Sequence, residues 1–271
     1  PHHMLSVAEP DEDFSVSRYC QMAHPIVEDI LARGKTAIIA GGTGLYMDAL
    51  IRGNDFAPVP STGRREELES IAEEQGIFAV IEMLRKVDPE SAERLHPSDQ
   101  KRIIRAMEVY LETGKTITQH DAETQALPPR YTSKRIALRF LDREDLYRRI
   151  DRRVDLMLEQ GLVEEVRALL DAGVPMDCTA MQAIGYKELM PYIEGNCSLE
   201  EAVEALKQAT RRYAKRQLTW FRRNPNINWV YADEAENFSD VLQASTDFIR
   251  SSGIIEGEIS VKEAMNNAKD K

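Results

Sequence analysis

The sequence predicts an α/β protein, a parallel sheet covered by helices and interrupted by an all-helical insertion. Three observations predict it. Lys35 to Gly42 is a short β-rich apolar run stopped by two glycines, the pattern of a buried parallel strand that feeds a loop. Amphipathic helical segments flank it, and alternation of strand and helix is the order of a parallel sheet with crossover helices. From residue 53 to residue 127 the pattern turns helical and charged throughout.

Met4 to Val7 reads as a first strand and Ser15 to Leu31 as a helix, opened by Ser15 or Ser17 and ended at Gly34. Thr36 to Ala40 is the second strand. Leu45 to Ile51 follows as a helix with Leu45, Ala49 and Leu50 on one side. Pro58, Pro60 and Gly63 mark a linker into an insertion with helices at Arg64 to Glu74, Phe78 to Lys86, Pro89 to Leu95 and Asp99 to Thr113. A polar stretch from His120 to Arg130 leads back. Ile136 to Phe140 alternates as a strand, and Arg143 to Gln160 is an amphipathic helix stopped by Gly161. Helices are expected at Val163 to Ala172, Ala180 to Ile193 and Leu199 to Arg222, and a last strand at Trp229 to Tyr231. Four strands are few for a sheet covered on both faces, which points to part of the core being absent. Residues 1–52 and 128–252 then form a discontinuous core, 53–127 the insertion and 253–271 a polar tail.

Composition bounds the function. With 271 residues, 42% hydrophobic and 30% charged, the chain fits a globular cytoplasmic protein, and no apolar run approaches the roughly 20 residues that span a bilayer. Cys20, Cys178 and Cys197 lack metal-ligand spacing and are expected to be reduced, with no metal held by this chain. A net charge of −11 argues against a nucleic-acid partner, which needs Lys and Arg to displace counterions. Its distribution argues the other way: six basic residues (Arg211, Arg212, Lys215, Arg216, Arg222 and Arg223) and no acidic one lie between Arg211 and Arg223.

Four segments carry candidate chemistry. Gly41-Gly42-Thr43-Gly44 sits where ligands bind in open α/β sheets, with free N–H groups at a helix start and a threonine hydroxyl; it reads equally as a tight turn with Thr43 as a cap. Arg149 and Arg153 are four apart and share a helix face able to grip a diphosphate, or else a solvated face balanced by Asp151 and Asp155. The basic helix interleaves Tyr213, Trp220 and Phe221, which suits an RNA loop through phosphate contacts and base stacking, while Leu218 and Trp220 also suit a packed helix. Gly185, inside Gln182 to Glu188, interrupts a helical pattern and points to close approach of a backbone or ligand, or to a helix contact.

Taken together, these segments resemble the tRNA dimethylallyltransferase family from Pro1 to about Trp229. The matching stretches are Pro1-His2-His3 with Phe14-Ser15-Val16, Gly41 to Tyr46, His96-Pro97 with Arg102 and Arg105 to Glu108, Thr113-Gly114-Lys115, Gln182 to Tyr186, and Lys215 to Arg222. The resemblance implies a P-loop-related three-layer core, a helical insertion around a tRNA anticodon stem-loop, and transfer of dimethylallyl from dimethylallyl diphosphate to N6 of the adenine just after the anticodon. By position, Thr43 is implied as the catalytic hydroxyl, and Gly42, Thr43, Arg149 and Arg153 as diphosphate ligands. The tRNA contacts implied are Arg65, Lys101, Arg102 and Arg105, then Gln182, Ala183, Ile184, Gly185, Tyr186 and Lys187, and Lys215, Arg216, Gln217, Thr219, Trp220 and Arg222. A monomer is expected. Ser6 departs from the family, which usually has aspartate there. The family's P-loop, with its Mg²⁺ ligands and nucleotide-type phosphate cradle, and its general-base aspartate have no counterpart in these residues. Mg²⁺ ligands are therefore expected in an N-terminal segment this sequence lacks, and the chain alone is expected to show little transferase activity. An inactive tRNA-binding remnant and a P-loop-type nucleotide kinase stand as alternatives.

Overall fold

The computed structural model describes residues 1–54 and 62–254; the linker prolines Pro58 and Pro60 and the tail from residue 255 lie outside them. In chain order the elements are α1 (Val16–Ala32), α2 (Gly44–Arg52), α3 (Arg64–Gln75), α4 (Ile77–Val87), α5 (Pro89–Arg94), α6 (Gln100–Thr113) and α7 (Ile117–Ala126). There follow β1 (Arg135–Arg139), α8 (Arg143–Glu159), α9 (Leu162–Asp171), a 3₁₀ turn (Ala180–Gln182), α10 (Tyr186–Ile193), α11 (Leu199–Phe221), β2 (Ile227–Tyr231) and α12 (Phe238–Ser251). The chain divides into two compact units, Pro1–Ile51 with Thr132–Lys271, and Arg52–Tyr131.

The first unit is α/β with a small parallel sheet. β1 and β2 pair in parallel, Arg135 opposite Ile227 and Arg139 opposite Tyr231, and the crossover between them carries α8 to α11. Its helical core joins Val154 of α8, Leu162 and Val166 of α9, Leu189 of α10, and Ala202 and Leu206 of α11. α11 opens on a capping box: the Ser198 hydroxyl accepts from Glu201 N, while the Glu201 carboxylate accepts from Ser198 N.

The sheet has two strands among the described residues, not the four expected. Met4 and Ser6 have φ of 61° and 50°, left-handed values that no strand accommodates. Thr36 to Ala40 has the apolar composition of a strand but no neighbour to pair with among the described residues, and Ile38 is 86% exposed. Composition marks a segment able to pair; only a registered partner satisfies its backbone groups. The expected single helix from Ala180 to Ile193 is broken: Gly185, at φ 112° and ψ −50°, caps α10 instead of lying within it. Two helices escaped the sequence reading. α7 replaces the start of the polar stretch from His120, opened by a capping box between Thr116 and Gln119, and α12 is opened by one between Asn237 and Asp240. Both boxes are visible in the sequence, and in α12 Val241, Leu242, Ser245, Phe248 and Ile249 fall at helical spacing.

The second unit packs α3, α4 and α6 around Leu68, Val80, Ile81, Leu84, Ile103, Ile104 and Met107. Buried Asp88 ties the short helices to this core. Its carboxylate accepts from Ser91 N at 3.1 Å, capping α5, and from Thr118 Oγ1 and N at 2.6 and 3.2 Å, fastening α7. Burial pushes the Asp88 carboxyl up, but these hydrogen bonds, led by Thr118, outweigh it and hold the group below its ordinary value. A depressed folded-state value means the contribution is full at neutral pH and is lost as pH falls from about 4 through the folded value. Asp88→Ala is expected to lower the stability of this unit by about 1–3 kcal/mol at neutral pH. Amide hydrogen exchange of α5 and α7 checks it, and the difference from wild type should shrink in acid.

Candidate active site

The glycine loop leads into α2, whose first carbonyl-accepting residue is Thr43: its O accepts from Tyr46 N and Met47 N at 3.1 and 3.2 Å. The Thr43 side chain is exposed, and its hydroxyl makes no hydrogen bond among the described residues, so it does not cap the helix. It stands beside free N–H groups at the positive end of α2, where an anion is favoured. Tyr46 fixes the loop from below, donating to Phe14 O at 3.3 Å with its ring 5.1 Å from that of Tyr19.

α11 lies directly on this loop. Gln217 Nε2 donates to Gly42 O at 2.9 Å, and Trp220 Nε1 donates to Asp48 Oδ2 at 2.7 Å. Asp48 Oδ1 accepts from Arg135 of β1 at 2.5 Å, so one carboxylate joins α2, β1 and α11. A Cβ on Gly42 would stand 2.1 Å from Gln217 Nε2, and one on Gly44 2.2 Å from Trp220 Cδ1. At Gly44 the Trp220 ring fills the space a side chain would need, while at Gly42 only the movable end of Gln217 stands there.

The other face of α11 is free. With 100° per residue, Tyr213, Gln217, Trp220 and Phe221 share an inward arc, and all four are half-buried. Arg212, Lys215, Arg216, Thr219, Arg222 and Arg223 fall on the opposite arc and are all exposed. Among the described residues none of those five cations has an ion pair. Arg211 does: it bridges Asp151 of α8 and Glu204, and Lys207 bridges Asp155. Of the sequence-assigned residues of this helix, Lys215, Arg216, Thr219 and Arg222 face outward while Gln217 and Trp220 are turned to the loop.

Arg149 and Arg153 line a cavity of about 580 Å³ with Ile150, Val154, Met157, Ile184, Leu206, Thr210 and Tyr213. Arg149 rests over the Phe140 ring at 5.0 Å, and Arg153 has no ion pair among the described residues. The cavity is apolar apart from its guanidinium groups, Thr210 and the Tyr213 hydroxyl. Gly42 and Thr43 are not among its lining residues. What connects the two places is α11, on which Tyr213 faces the cavity and Gln217, one turn on, meets Gly42.

Of the segment from Gln182 to Lys187, Gln182, Ala183 and Lys187 are exposed and Ile184 turns into the cavity. Gly185 N donates to Glu188, completing the cap of α10. The Tyr186 hydroxyl bonds to Glu165, and burial followed by that carboxylate pushes its pKa up to about 12. In the second unit Lys101, Arg102 and Arg105 are exposed on α6, Arg102 paired with Asp99 and Arg105 with Glu108, while Arg65 on α3 faces Glu69. Asp48 is the member of the site that sequence reasoning missed. Its partners lie 87 and 172 residues away, and no local pattern announces them.

Residues 1–224 match the family model described as IPP transferase. The chain belongs to this family. It is 45% identical over 243 residues to the tRNA dimethylallyltransferase of Thermoanaerobacter sp. (strain X514), an alignment covering 89% of this chain and 77% of that one. It is 49% identical over 242 residues to the tRNA dimethylallyltransferase of Geobacillus thermodenitrificans, covering 88% and 75%. Its structure is similar, at TM-score 0.64 and 38% identity, to the tRNA isopentenylpyrophosphate transferase of Bacillus halodurans, covering 93% of this chain and 78% of that one. A eukaryotic dimethylallyltransferase acting on tRNA is similar at TM-score 0.72 and 29% identity, covering 97% and 69%. Among the described residues of this family member, no helix is long and apolar enough to cross a membrane.

The two ends of the loop predict opposite responses. Gly44→Ala must displace Trp220 and is expected to lower stability by about 1–3 kcal/mol. Gly41, which has nothing within 4 Å of an added Cβ, should accept alanine with little change. Thermal unfolding of the two variants checks the contrast.

Proposed function

We propose that the chain transfers a dimethylallyl group from dimethylallyl diphosphate to N6 of the adenine that follows the anticodon of a tRNA. The observation that carries this is the division of α11: five exposed cations without an ion pair among the described residues lie on one side while the other is seated on the glycine loop. RNA phosphates gripped on one side and a donor held on the other would meet at a single helix. The tRNA dimethylallyltransferases at 45% and 49% identity support the same reading.

In the proposed reaction the N6–C bond forms as the C–O bond to diphosphate breaks, N6 gives its proton to water, and negative charge collects on the leaving group. Thr43, with its unpartnered hydroxyl at the start of α2, and Arg149 and Arg153 are proposed as the groups that meet that charge. The apolar wall of Ile150, Val154, Met157 and Leu206 beside the two arginines suits a prenyl tail. Arg65, Lys101, Arg102 and Arg105 are proposed as further phosphate contacts, with the exposed Gln182, Ala183 and Lys187 near the flipped adenine. We read the core as related to the P-loop folds, on the parallel sheet and the loop that opens α2. Diphosphate chemistry of this kind typically uses Mg²⁺. Among the described residues no group of three or more His, Cys, Asp or Glu side chains is arranged to hold a metal, so no step is assigned to one here.

Supplied with the P-loop-bearing N-terminal segment of a relative, the chain is expected to label tRNA from labelled dimethylallyl diphosphate, and alone to label it little; phosphate transfer from labelled ATP instead would favour a nucleotide kinase. Arg216→Ala and Arg222→Ala are each expected to weaken tRNA binding and to flatten its dependence on salt over roughly 50 to 200 mM, since each removes one phosphate contact. Unchanged binding and an unchanged salt slope would take α11 out of the RNA interface.

A further inference from the structure

We propose that Asp48 is a positioning residue: by holding the Trp220 indole it fixes how α11 sits on the glycine loop, and so where the outward cations stand relative to Thr43. This rests on the tRNA reading of α11 given above. The Trp220 ring packs over Gly44 with no gap for a methyl group, but packing alone lets a flat ring slide. A tryptophan N–H is a donor with no other use, and its bond to Asp48 at 2.7 Å removes that freedom. The carboxylate is in turn immobilised by Arg135, a residue of the sheet, in a pair whose side chains are 30% and 22% exposed. Arg135 thus orients the carboxylate, and the bond to Trp220 is what holds α11 on the loop.

The rest of the helix shows why this point matters. The earlier turns of α11 are tied to α8 through Lys207 with Asp155 and Arg211 with Asp151. Beyond them, among the described residues, the side-chain hydrogen bonds from α11 to the loop and α2 are those of Gln217 and Trp220. Lys215, Arg216 and Arg222 project from this same stretch on long side chains, so a small rotation about the helix axis displaces their charged ends by a larger distance.

The test compares Asp48→Ala with Asp48→Asn in the full chain carrying Trp229→Phe, which leaves Trp220 as the sole tryptophan. Asparagine keeps an oxygen acceptor for the indole and loses the ion pair with Arg135; alanine loses both. Asp48→Ala is expected to shift Trp220 emission to the red, raise its quenching by acrylamide and weaken binding of an anticodon stem-loop about tenfold. Asp48→Asn is expected to restore emission and to bind within about twofold of the parent. A merely structural role would not be rescued in this way. If Asp48→Ala does not fold, Asp48→Ser, whose hydroxyl is too short to reach the indole, takes its place. The proposal is overturned if alanine leaves emission and affinity at parent values, or if asparagine is as weak as alanine. No binding by the parent chain would sink the tRNA reading and this proposal together, whereas parent binding with unmoved variants sinks this proposal alone.

Discussion

The site depends on the contact between α11 and the loop from Gly41 to Gly44, where the Trp220 ring leaves no room for a side chain on Gly44. Gln217 over Gly42 and Trp220 over Gly44 bring a helix against the backbone at the start of α2. Two consequences follow from one packing event. The inward arc of α11 is turned to the protein, with its aromatic and amide side chains half-buried. The outward arc is left with cations that have no carboxylate partner among the described residues, on a protein of net charge −11.

That sorting resolves an apparent conflict between composition and function. An acidic body repels nucleic acid on average, but the average is not what a phosphate meets. Acidic residues of α8 and α11 pair with Lys207 and Arg211, so the positive charge of this helix that lacks an ion pair among the described residues lies in its last three turns. Arg149 and Arg153 form a second positive place beside an apolar cavity, reached along α11 through Tyr213. On the function proposed above, a donor with a charged head and an apolar tail and an acceptor with a charged backbone have different requirements, and successive turns of one helix would serve both.

Local order was legible in the sequence; long-range pairing was not. The boundaries of α1, α3, α4, α6, α8 and α11 follow from helical spacing and from caps such as Ser15, and lie within one or two residues of their expected places. The glycine loop, Arg149, Arg153 and the basic helix were all visible as patterns. Strands were harder, because Thr36 to Ala40 and Ile136 to Phe140 look alike in composition and differ only in whether a partner is registered beside them. Gly185 could be recognised as special without revealing that it starts a helix. Which residues of Lys215 to Arg222 face inward, and the role of Asp48, depend on neighbours far away in the chain, and no local spacing encodes them.

The central claim is that α11 presents one face to RNA while the other is held by the protein. A photo-cross-linking side chain placed at Thr219, on the outward arc, and separately at exposed Glu200, in the acidic first turn of the same helix, tests it directly. With an anticodon stem-loop bound, the account predicts strong capture of RNA from position 219 and none from position 200. Equal capture from both, or none from 219 while the RNA remains bound, would contradict it.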